Sequence, residues 1–506
     1  MKTGRPLIVA LSLLAASPVP AAESSHTAWR ADLDQLEAAL EASYANLAWA
    51  ASPESGVNLP AADRRARAAL DAATTEDEAR AALRAFAASF RDGHVSELPT
   101  LSPAAPPPEP EPETAALDPA DPGSGCAALG FAATAPIAFS LPFESLPGFK
   151  LAGDGLSTPF RAGEIVAPDG RRIGVVRIQN FRPAPFPDVC RRAWADLTAA
   201  GKPITVGNLR TGARDAWLAA LAEQLRQFRT DGVQSVIVDV GGNSGGNDSG
   251  DWMARLFTDR PVASARLLMV AGPQASTYLD EETDALDEAL KAASAPETKV
   301  ALRRALDAVS ASRKALAKPT CDLSWVWREQ RPWRPEACNR LVGVGFAGGQ
   351  LSDAPPGTFA DRAAAGALSS VTTVDRWRGA WTGPVYVLTN GKTYSSAEMF
   401  AAVMRDNGVA KTIGDRTGGA GCGFMTDETP VTLAATRLRF RMPDCARLRA
   451  DGTDEVAGVR PDLPLPPREG ESERARAMRA LRAVSADLAA APSSPAAGHA
   501  RPAARR

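Results

Sequence analysis

Two adjacent serines, Ser395 and Ser396, stand where an apolar run at residues 385–388 gives way to a helical pattern at residues 395–407. The run predicts a strand, Asn390-Gly391 predicts a turn, and the apolar side chains that follow predict a buried helix. The first N–H groups of a helix are unpaired and lie at the positive end of its dipole. A serine there could act as a nucleophile while these N–H groups stabilise an oxyanion. The alternative is that Ser395 only caps the helix, because serine is a preferred N-cap residue.

A glycine-rich segment lies upstream of these serines. Residues 233–246, VQSVIVDVGGNSGG, predict a buried strand of β-branched residues that ends in a turn dense in glycine. Glycines let backbone amides come close to a ligand. Such turns also bind phosphates, but neither the GxxxxGK[ST] nor the GxGxxG spacing is present, so nucleotide binding has little support.

A serine hydroxyl needs a general base within hydrogen-bond reach before it becomes a useful nucleophile. The sequence holds three histidines. His26 follows a predicted signal-peptide cleavage site and His499 lies in a low-complexity tail, which leaves His94 as the predicted base. The alternative is a structural or surface histidine, because the sequence does not fix the distance between residues 94 and 395.

Four segments resemble, in the same order, segments of the S41 peptidase family, which contains the C-terminal processing peptidases and the tricorn-like proteases. They are residues 173–181 (IGVVRIQNF), 239–246 (DVGGNSGG), 395–398 (SSAE) and 458–462 (GVRPD). The resemblance implies an α/β fold with a ClpP/crotonase-like mixed β-sheet core, largely parallel, preceded by a small helical domain. It also implies a serine endopeptidase that cleaves peptides through an acyl-enzyme and needs no metal or organic cofactor.

The resemblance assigns roles to individual residues. It implies that Ser395 is the nucleophile and that Ser396 lends its backbone N–H to the oxyanion hole, together with Gly245 or Gly246. The segment that holds His94, Asp-Gly-His, is similar to an Asp-x-His segment of tricorn-like members. The resemblance therefore agrees with His94 as the base.

A carboxylate is expected to fix the tautomer of such a base and to stabilise the imidazolium. Glu455, three residues before Gly458, resembles the position of the tricorn-like glutamate and is the first candidate. Asp406 and Glu398, both on the predicted nucleophile helix, are the alternatives. Glu398 lies one turn from Ser395 on the same face of that helix.

The chain departs from the processing peptidases at one position. Those enzymes pair their serine with a lysine inside Thr-x-Gly-Lys-Gly, whereas residues 417–421 read TGGAG, with Ala420 at the lysine position. The Ser-Lys dyad of that branch therefore cannot operate here. The absent lysine supports one alternative, an inactive S41-like protein that binds peptides. A second alternative is an esterase or other acyl hydrolase on the same core.

A second serine also lies in a nucleophile-like setting. Residues 242–246 satisfy GxSxG after a predicted strand, which would make Ser244 the nucleophile of an α/β-hydrolase. That fold places its histidine after the serine, and only His499 follows. The sequence therefore favours Ser395 over Ser244.

At 506 residues the chain exceeds one typical core, so several domains are expected. The N-terminal helices are predicted from apolar residues spaced at three and four, and the insertion is predicted either to cap the active site or to decorate the surface. The predicted organisation is a signal peptide (1–22), an N-terminal helical domain (23–98), a Pro-rich linker (99–122), a catalytic core (123–466) with a helical insertion at about 277–340, and a C-terminal helix with a disordered tail (467–506).

Export is predicted from the N terminus, where Lys2 and Arg5 precede the short apolar run 7–16. The periplasm is the predicted location, with secretion as the alternative, and no stable membrane insertion is expected. Six cysteines suit an oxidising compartment, and the closest pairing in sequence is Cys321–Cys338, Cys422–Cys445 and Cys126–Cys190, one of 15 connectivities. The net charge of −2 argues against nucleic acid or an anionic membrane as the main partner, which leaves a peptide or protein substrate.

Overall fold

The computed structural model describes residues 21–99, 115–317, 321–334, 340–426 and 430–490. The strands are β1 Ser96–Leu98, β2 Lys150–Asp154, β3 Arg161–Val166, β4 Arg172–Arg177, β5 Ser235–Asp239, β6 Arg266–Val270, β7 Leu341–Phe346, β8 Val385–Thr389, β9 Lys411–Gly414, β10 Val431–Thr432, β11 Arg439–Arg441, β12 Cys445–Leu448 and β13 Leu463–Pro464. The α-helices are α1 Ala21–Ser43, α2 Leu47–Ala50, α3 Leu59–Ala72, α4 Glu76–Ala88, α5 Pro122–Ala128, α6 Pro187–Ala199, α7 Val206–Thr230, α8 Ser249–Trp252, α9 Pro273–Ala292, α10 Pro296–Leu316, α11 Arg362–Leu368, α12 Ser396–Asp406 and α13 Glu473–Ala490.

The main sheet has seven strands in the order β13-β9-β8-β5-β4-β3-β2. Strands β13, β9, β8, β5 and β4 are parallel, whereas β3 pairs antiparallel with β4 and β2 pairs antiparallel with β3. Every residue of β5 and β8 is buried, as expected for central parallel strands rich in Val, Ile and Leu. The predicted α/β class with a mixed, largely parallel sheet is confirmed.

Helices cover both faces of this sheet. Val236 and Val238 of β5 point into a core shared with α6, α7 and α12, whereas Ile237 points to the opposite face, as the period of two in a strand requires. On that opposite face, Leu481 of α13 packs in the same cluster as Ile237. The sheet is therefore the middle of three layers.

The N-terminal helices pack around the apolar stripe that the sequence predicts, in a hydrophobic cluster distinct from those of the main sheet. The predicted stripe residues are all buried, namely Trp29, Leu33, Leu36, Leu40, Leu83, Phe86 and Phe90. The cluster also takes in Trp325, Leu433 and Phe440, which come from far later in the chain. The N-terminal helices therefore share one core with later segments.

Two further contacts fasten the N-terminal helices to the rest of the protein. The buried carboxylate of Asp32 on α1 accepts hydrogen bonds from the backbone N–H groups of Ala435 and Thr436, at 2.8 and 2.7 Å. Strand β1 pairs antiparallel with β11, with Ser96 opposite Arg441. Residue 94 is thereby fixed two residues before a strand that belongs to the later part of the fold.

The predicted insertion contains the two helices α9 and α10, which pack against each other, and α10 also packs against β7. Strand β7 belongs to a second, antiparallel sheet of order β12-β6-β7. The tryptophan-rich segment after α10 has a different location, because Trp325 packs among the N-terminal helices. The division into domains stays a prediction.

Disulfides Cys126–Cys190 and Cys422–Cys445 are present, as the spacing predicts. Cys321 is also disulfide-bonded, and its predicted partner Cys338 lies outside the described residues. These bonds indicate that the protein folds in a non-reducing environment.

None of the helices in the described ranges has the length and apolar character that a membrane span requires. The predicted signal peptide, except its last two residues, the proline-rich run 100–114 and the tail beyond residue 490 lie outside those ranges.

Candidate active site

Ser395 lies between β8 and α12, directly before the first residue of the helix. Its backbone has φ 54° and ψ −123°, a conformation that costs a non-glycine residue about 1–3 kcal/mol. Ser395 occupies the N-cap position of α12, and its backbone N–H donates to the Glu398 carboxylate in the first turn (3.1 Å), as in a capping box. The preceding peptide is held by a hydrogen bond from Tyr394 N to Asn243 O (2.9 Å). The strained turn leaves Ser395 partly exposed at the end of a buried strand.

The glycine turn after β5 lies directly against this serine. A Cβ atom on Gly245 would stand 2.7 Å from the Cβ and 3.1 Å from the Oγ of Ser395, and 3.1 Å from the backbone N of Ser396. Gly245 also has φ 109°, which glycine adopts readily and other residues rarely do. The buried Asn243 fixes the turn, because its Oδ1 accepts from Gly245 N (2.7 Å) and its Nδ2 donates to Ile178 O (2.9 Å).

His94 lies in the turn between α4 and β1. Its backbone N donates to Asp92 Oδ1 (2.9 Å), and its Nδ1 lies 3.0 Å from Ala420 O and 3.5 Å from Asp92 Oδ1. Both of these partners only accept hydrogen bonds, so in the neutral imidazole the arrangement favours the tautomer with the proton on Nδ1 and a lone pair on Nε2. The hydroxyl of Tyr44 donates to Asp92 Oδ2 (3.0 Å) and holds that carboxylate in turn.

The rest of the histidine ring is enclosed by the residues that follow Ala420. A Cβ atom on Gly423 would stand 3.0 Å from both Cδ2 and Nε2 of His94. The ring of Phe424 meets the imidazole edge-on, with centroids 5.8 Å apart. Glycine at 423 therefore keeps room beside the nitrogen that would accept a proton.

Glu398 connects the serine to the residues around the histidine. Its carboxylate is fully buried and accepts from the backbone N of Ser395 (3.1 Å), Gly419 (2.6 Å), Ala420 (2.8 Å) and Gly421 (3.1 Å). Burial raises the pKa of Glu398, and the surrounding N–H groups oppose that rise. One carboxylate thus ties the start of α12 to the backbone that binds His94.

Glu455 lies in a buried acidic region next to the same loop. Its Oε2 accepts from Arg447 Nε (2.7 Å), and Arg447 Nη2 also donates to Gly421 O (3.0 Å). Its Oε1 is buried and has no hydrogen-bond partner within the described part of the chain. Burial raises the pKa of Glu455, and it raises the pKa of the neighbouring Asp454 to about 7.

The alternative carboxylate, Asp406, and the alternative nucleophile, Ser244, lie outside this hydrogen-bond network. Asp406, at the end of α12, is bonded to the guanidinium of Arg449. Ser244 is exposed on the glycine turn.

The predicted residues are joined by a short chain of contacts. The Glu398 carboxylate accepts hydrogen bonds from the backbone N–H groups of Ser395 and Ala420, and the carbonyl oxygen of Ala420 lies within hydrogen-bond distance of His94 Nδ1. The loop around the histidine and the contacts of Asn243 and Asp92 were not predicted as site features. The DGH segment offered one signal, because aspartate readily accepts from the backbone two residues on.

A strained serine at the start of a buried helix, with a glycine turn against it, is similar to the nucleophile turn of many hydrolases. A family model described as peptidase family S41 matches residues 172–465, more than half of the 506 residues. The chain belongs to peptidase family S41, a family of hydrolases that cleave peptides.

Two solved structures of mature CPAF share this fold. The crystal structure of mature CPAF is 16% identical, covers 92% of this chain and 98% of its own, and gives a TM-score of 0.50. Mature CPAF complexed with lactacystin also gives 16% identity and a TM-score of 0.50, with 92% and 99% covered. The tricorn protease is 12% identical over 84% of this chain and 34% of its own, with a TM-score of 0.28. Among curated protein sequences, none matches significantly.

Proposed function

We propose that this protein is an exported serine endopeptidase that hydrolyses peptide bonds through an acyl-enzyme on Ser395. The observation that carries the proposal is the strained Ser395, with Gly245 against its Oγ and Glu398 linking it to the loop that binds His94. Backbone strain of this kind is typical of functional sites.

In this mechanism, Ser395 Oγ attacks the carbonyl carbon of the scissile bond and His94 Nε2 accepts the hydroxyl proton. His94 is ready for that step because Ala420 O and Asp92 Oδ1 keep the other proton on Nδ1. The imidazolium then gives its proton to the leaving amine, and a water molecule hydrolyses the acyl-enzyme with His94 again as base.

The oxyanion is stabilised by the backbone N–H of Ser396, at the positive end of α12, and by one N–H of the glycine turn. Gly245 N already donates to Asn243 Oδ1. Gly246 is therefore the better placed of the two glycines to supply the second donor, and Gly245 supplies the close approach.

Glu455 is proposed as the third residue of the site. Its unpartnered Oε1 supports this role, since a buried carboxylate oxygen without a donor is expected to gain one in the working complex. Asp92 is the competing candidate, because its Oδ1 lies 3.5 Å from His94 Nδ1. Replacing each by its amide separates them: the true partner costs most of kcat, and the other leaves kcat within a few-fold.

Export to the periplasm, or secretion, is part of the proposal. The predicted signal peptide and the two described disulfides support it.

The test is fluorophosphonate labelling of the protein, with the adduct located by mass spectrometry. We expect an adduct on Ser395 that is lost in Ser395→Ala, much reduced in His94→Ala and retained in Ser244→Ala, the matched control. An adduct on Ser244 would overturn the proposal.

The two alternative functions predict other results. An inactive peptide-binding protein would give no adduct and would bind peptides without cleaving them. This alternative is supported by Ala420, which stands where the processing peptidases have their lysine. An esterase or other acyl hydrolase is labelled and cleaves small esters but no peptide in a library.

A further inference from the structure

The segment 419–424 forms the surroundings of His94. Ala420 O accepts the Nδ1 proton, Gly423 lies against Cδ2 and Nε2, and the ring of Phe424 meets the imidazole edge-on. The position of this segment, together with Asp92 Oδ1, therefore determines the tautomer and the position of the ring.

This segment contains neither helix nor strand, so contacts at its two ends must hold it. At the first end, Glu398 accepts from the N–H groups of residues 419–421. At the other end, β12 and the residue before it supply the contacts. Gly423 O accepts from Asp444 N (3.1 Å), and Cys422 is joined to Cys445 by a disulfide.

We propose that the Cys422–Cys445 disulfide is a positioning cross-link for the catalytic base, so that the oxidised protein is the competent form. The inference rests on the proposed role of His94. Cys422 lies between Gly421, whose N–H is held by Glu398, and Gly423, which touches the imidazole. Opening the bond frees the half of the segment that encloses His94 Nε2.

The chemistry of the switch is thiol–disulfide exchange. Two electrons and two protons from a dithiol convert Cys422 and Cys445 to thiols, and the dithiol becomes a disulfide. The reverse reaction, with a protein or small-molecule disulfide as acceptor, closes the bond. Cys422 and Cys445 are buried, at 1% and 0% exposure, so we expect the disulfide of the folded protein to react slowly with an added dithiol. We expect the newly made chain to become active when this disulfide forms.

The chain offers a matched control. Cys126–Cys190 is equally buried, at 2% and 0% exposure, but it joins α5 to α6, and neither helix supplies one of the contacts of His94 described above. Losing it should lower stability without changing the surroundings of His94.

The experiment measures kcat and KM of the double variant Cys422→Ala/Cys445→Ala and of the control Cys126→Ala/Cys190→Ala. The substrate is a fluorogenic peptide that the wild type cleaves. A misplacement of about 1 Å in an active site can cost about 100-fold, so we expect kcat to fall roughly tenfold to 100-fold in the first variant, with KM nearly unchanged. The control should keep kcat within about twofold. Equal kcat in the two variants overturns the inference.

A second readout reports on the histidine itself. The sequence has only three histidines, so nitrogen-15 spectra of histidine-labelled protein are simple, and His94→Ala assigns the relevant signals. We expect His94 to be a single Nδ1–H tautomer in wild type and control, and a mixture of tautomers in Cys422→Ala/Cys445→Ala. An unchanged tautomer in that variant counts against the inference.

If the first variant fails to fold, wild type treated with dithiothreitol replaces it. Alkylation and mass spectrometry follow each bond as activity falls. Loss of activity in step with the opening of Cys422–Cys445 supports the inference, and loss in step with Cys126–Cys190 alone overturns it. Wild type that neither cleaves peptide nor reacts with fluorophosphonate contradicts the proposed function instead.

Discussion

Gly245 illustrates how one missing methyl group sets the geometry of the site. A Cβ atom there would stand 2.7 Å from the Cβ of Ser395, closer than real Cβ contacts, and φ is 109°. We predict that Gly245→Ala slows fluorophosphonate labelling about 100-fold or more, the cost typical of a damaged oxyanion hole. Gly242→Ala is the control, because Gly242 also has positive φ (69°) but open space around it. Equal labelling rates of the two variants would show that the close approach is unimportant.

Asp454 gives the stability of the protein a defined pH dependence. Burial raises its pKa from 3.8 to about 7, so the folded chain holds a proton that the unfolded chain loses between those values. Stability from this group is therefore full below pH 3.8 and falls as pH rises to about 7. We predict that Asp454→Asn, whose Oδ1 can still accept from Val456 N, gains stability over wild type between pH 4 and 7. The difference should level off above pH 7.

Chemical denaturation of both proteins at several pH values measures this difference directly. A constant offset between the two curves would mean that Asp454 is already ionised in the fold. Asp451→Asn is a suitable comparison, because Asp451 is exposed and the pKa of its carboxyl is lowered by hydrogen bonds from Thr453.

Helix α12 and the 419–424 segment act as one unit, since Glu398 accepts four backbone N–H groups. Glutamine at 398 has one acceptor oxygen, and its amide donors would face these N–H groups. Unsatisfied buried donors cost about 1–3 kcal/mol each, so we predict that Glu398→Gln loses about 2 kcal/mol of stability and labels slowly. Asp406→Asn on the same helix should keep normal labelling, because Asp406 pairs with Arg449 away from the serine. Denaturation and labelling curves for the two variants test both statements.

The elements that the sequence predicted well are those with a local signal. Strand β8, helix α12 and the apolar stripe of α1 follow from residue type and period. The surroundings of His94 could not be predicted in the same way, because Ala420, Gly423 and Phe424 contact a residue more than 300 positions earlier. The local sequence TGGAG does not indicate that the carbonyl oxygen of Ala420 contacts His94. Glu398 was predicted as an alternative partner of the base, and no signal in the sequence indicates that its carboxylate also accepts from the loop that binds His94.

At the scale of the molecule, the N-terminal helices must stay fastened for His94 to remain in place. Asp32 is 1% exposed and accepts from the backbone N–H groups of Ala435 and Thr436. We predict that Asp32→Ala lowers the free energy of unfolding by about 2–4 kcal/mol, since two buried donors lose their acceptor. Peptidase activity should fall with it. Asp34→Ala, at an exposed position paired with Arg67, should change neither. Calorimetry and kinetics on both variants decide the matter.

The pairing of β1 with β11 has a consequence for biosynthesis. A ribosome releases residue 94 early, but the strand that anchors it, the loop that orients its ring and Ser395 all emerge several hundred residues later. If His94 and Ser395 have the proposed roles, a nascent chain carries the base without its nucleophile for most of its synthesis. Under the proposed mechanism, an incomplete chain cannot cleave peptides and needs no separate inhibitor, because both residues are in place only when nearly the whole polypeptide has been made.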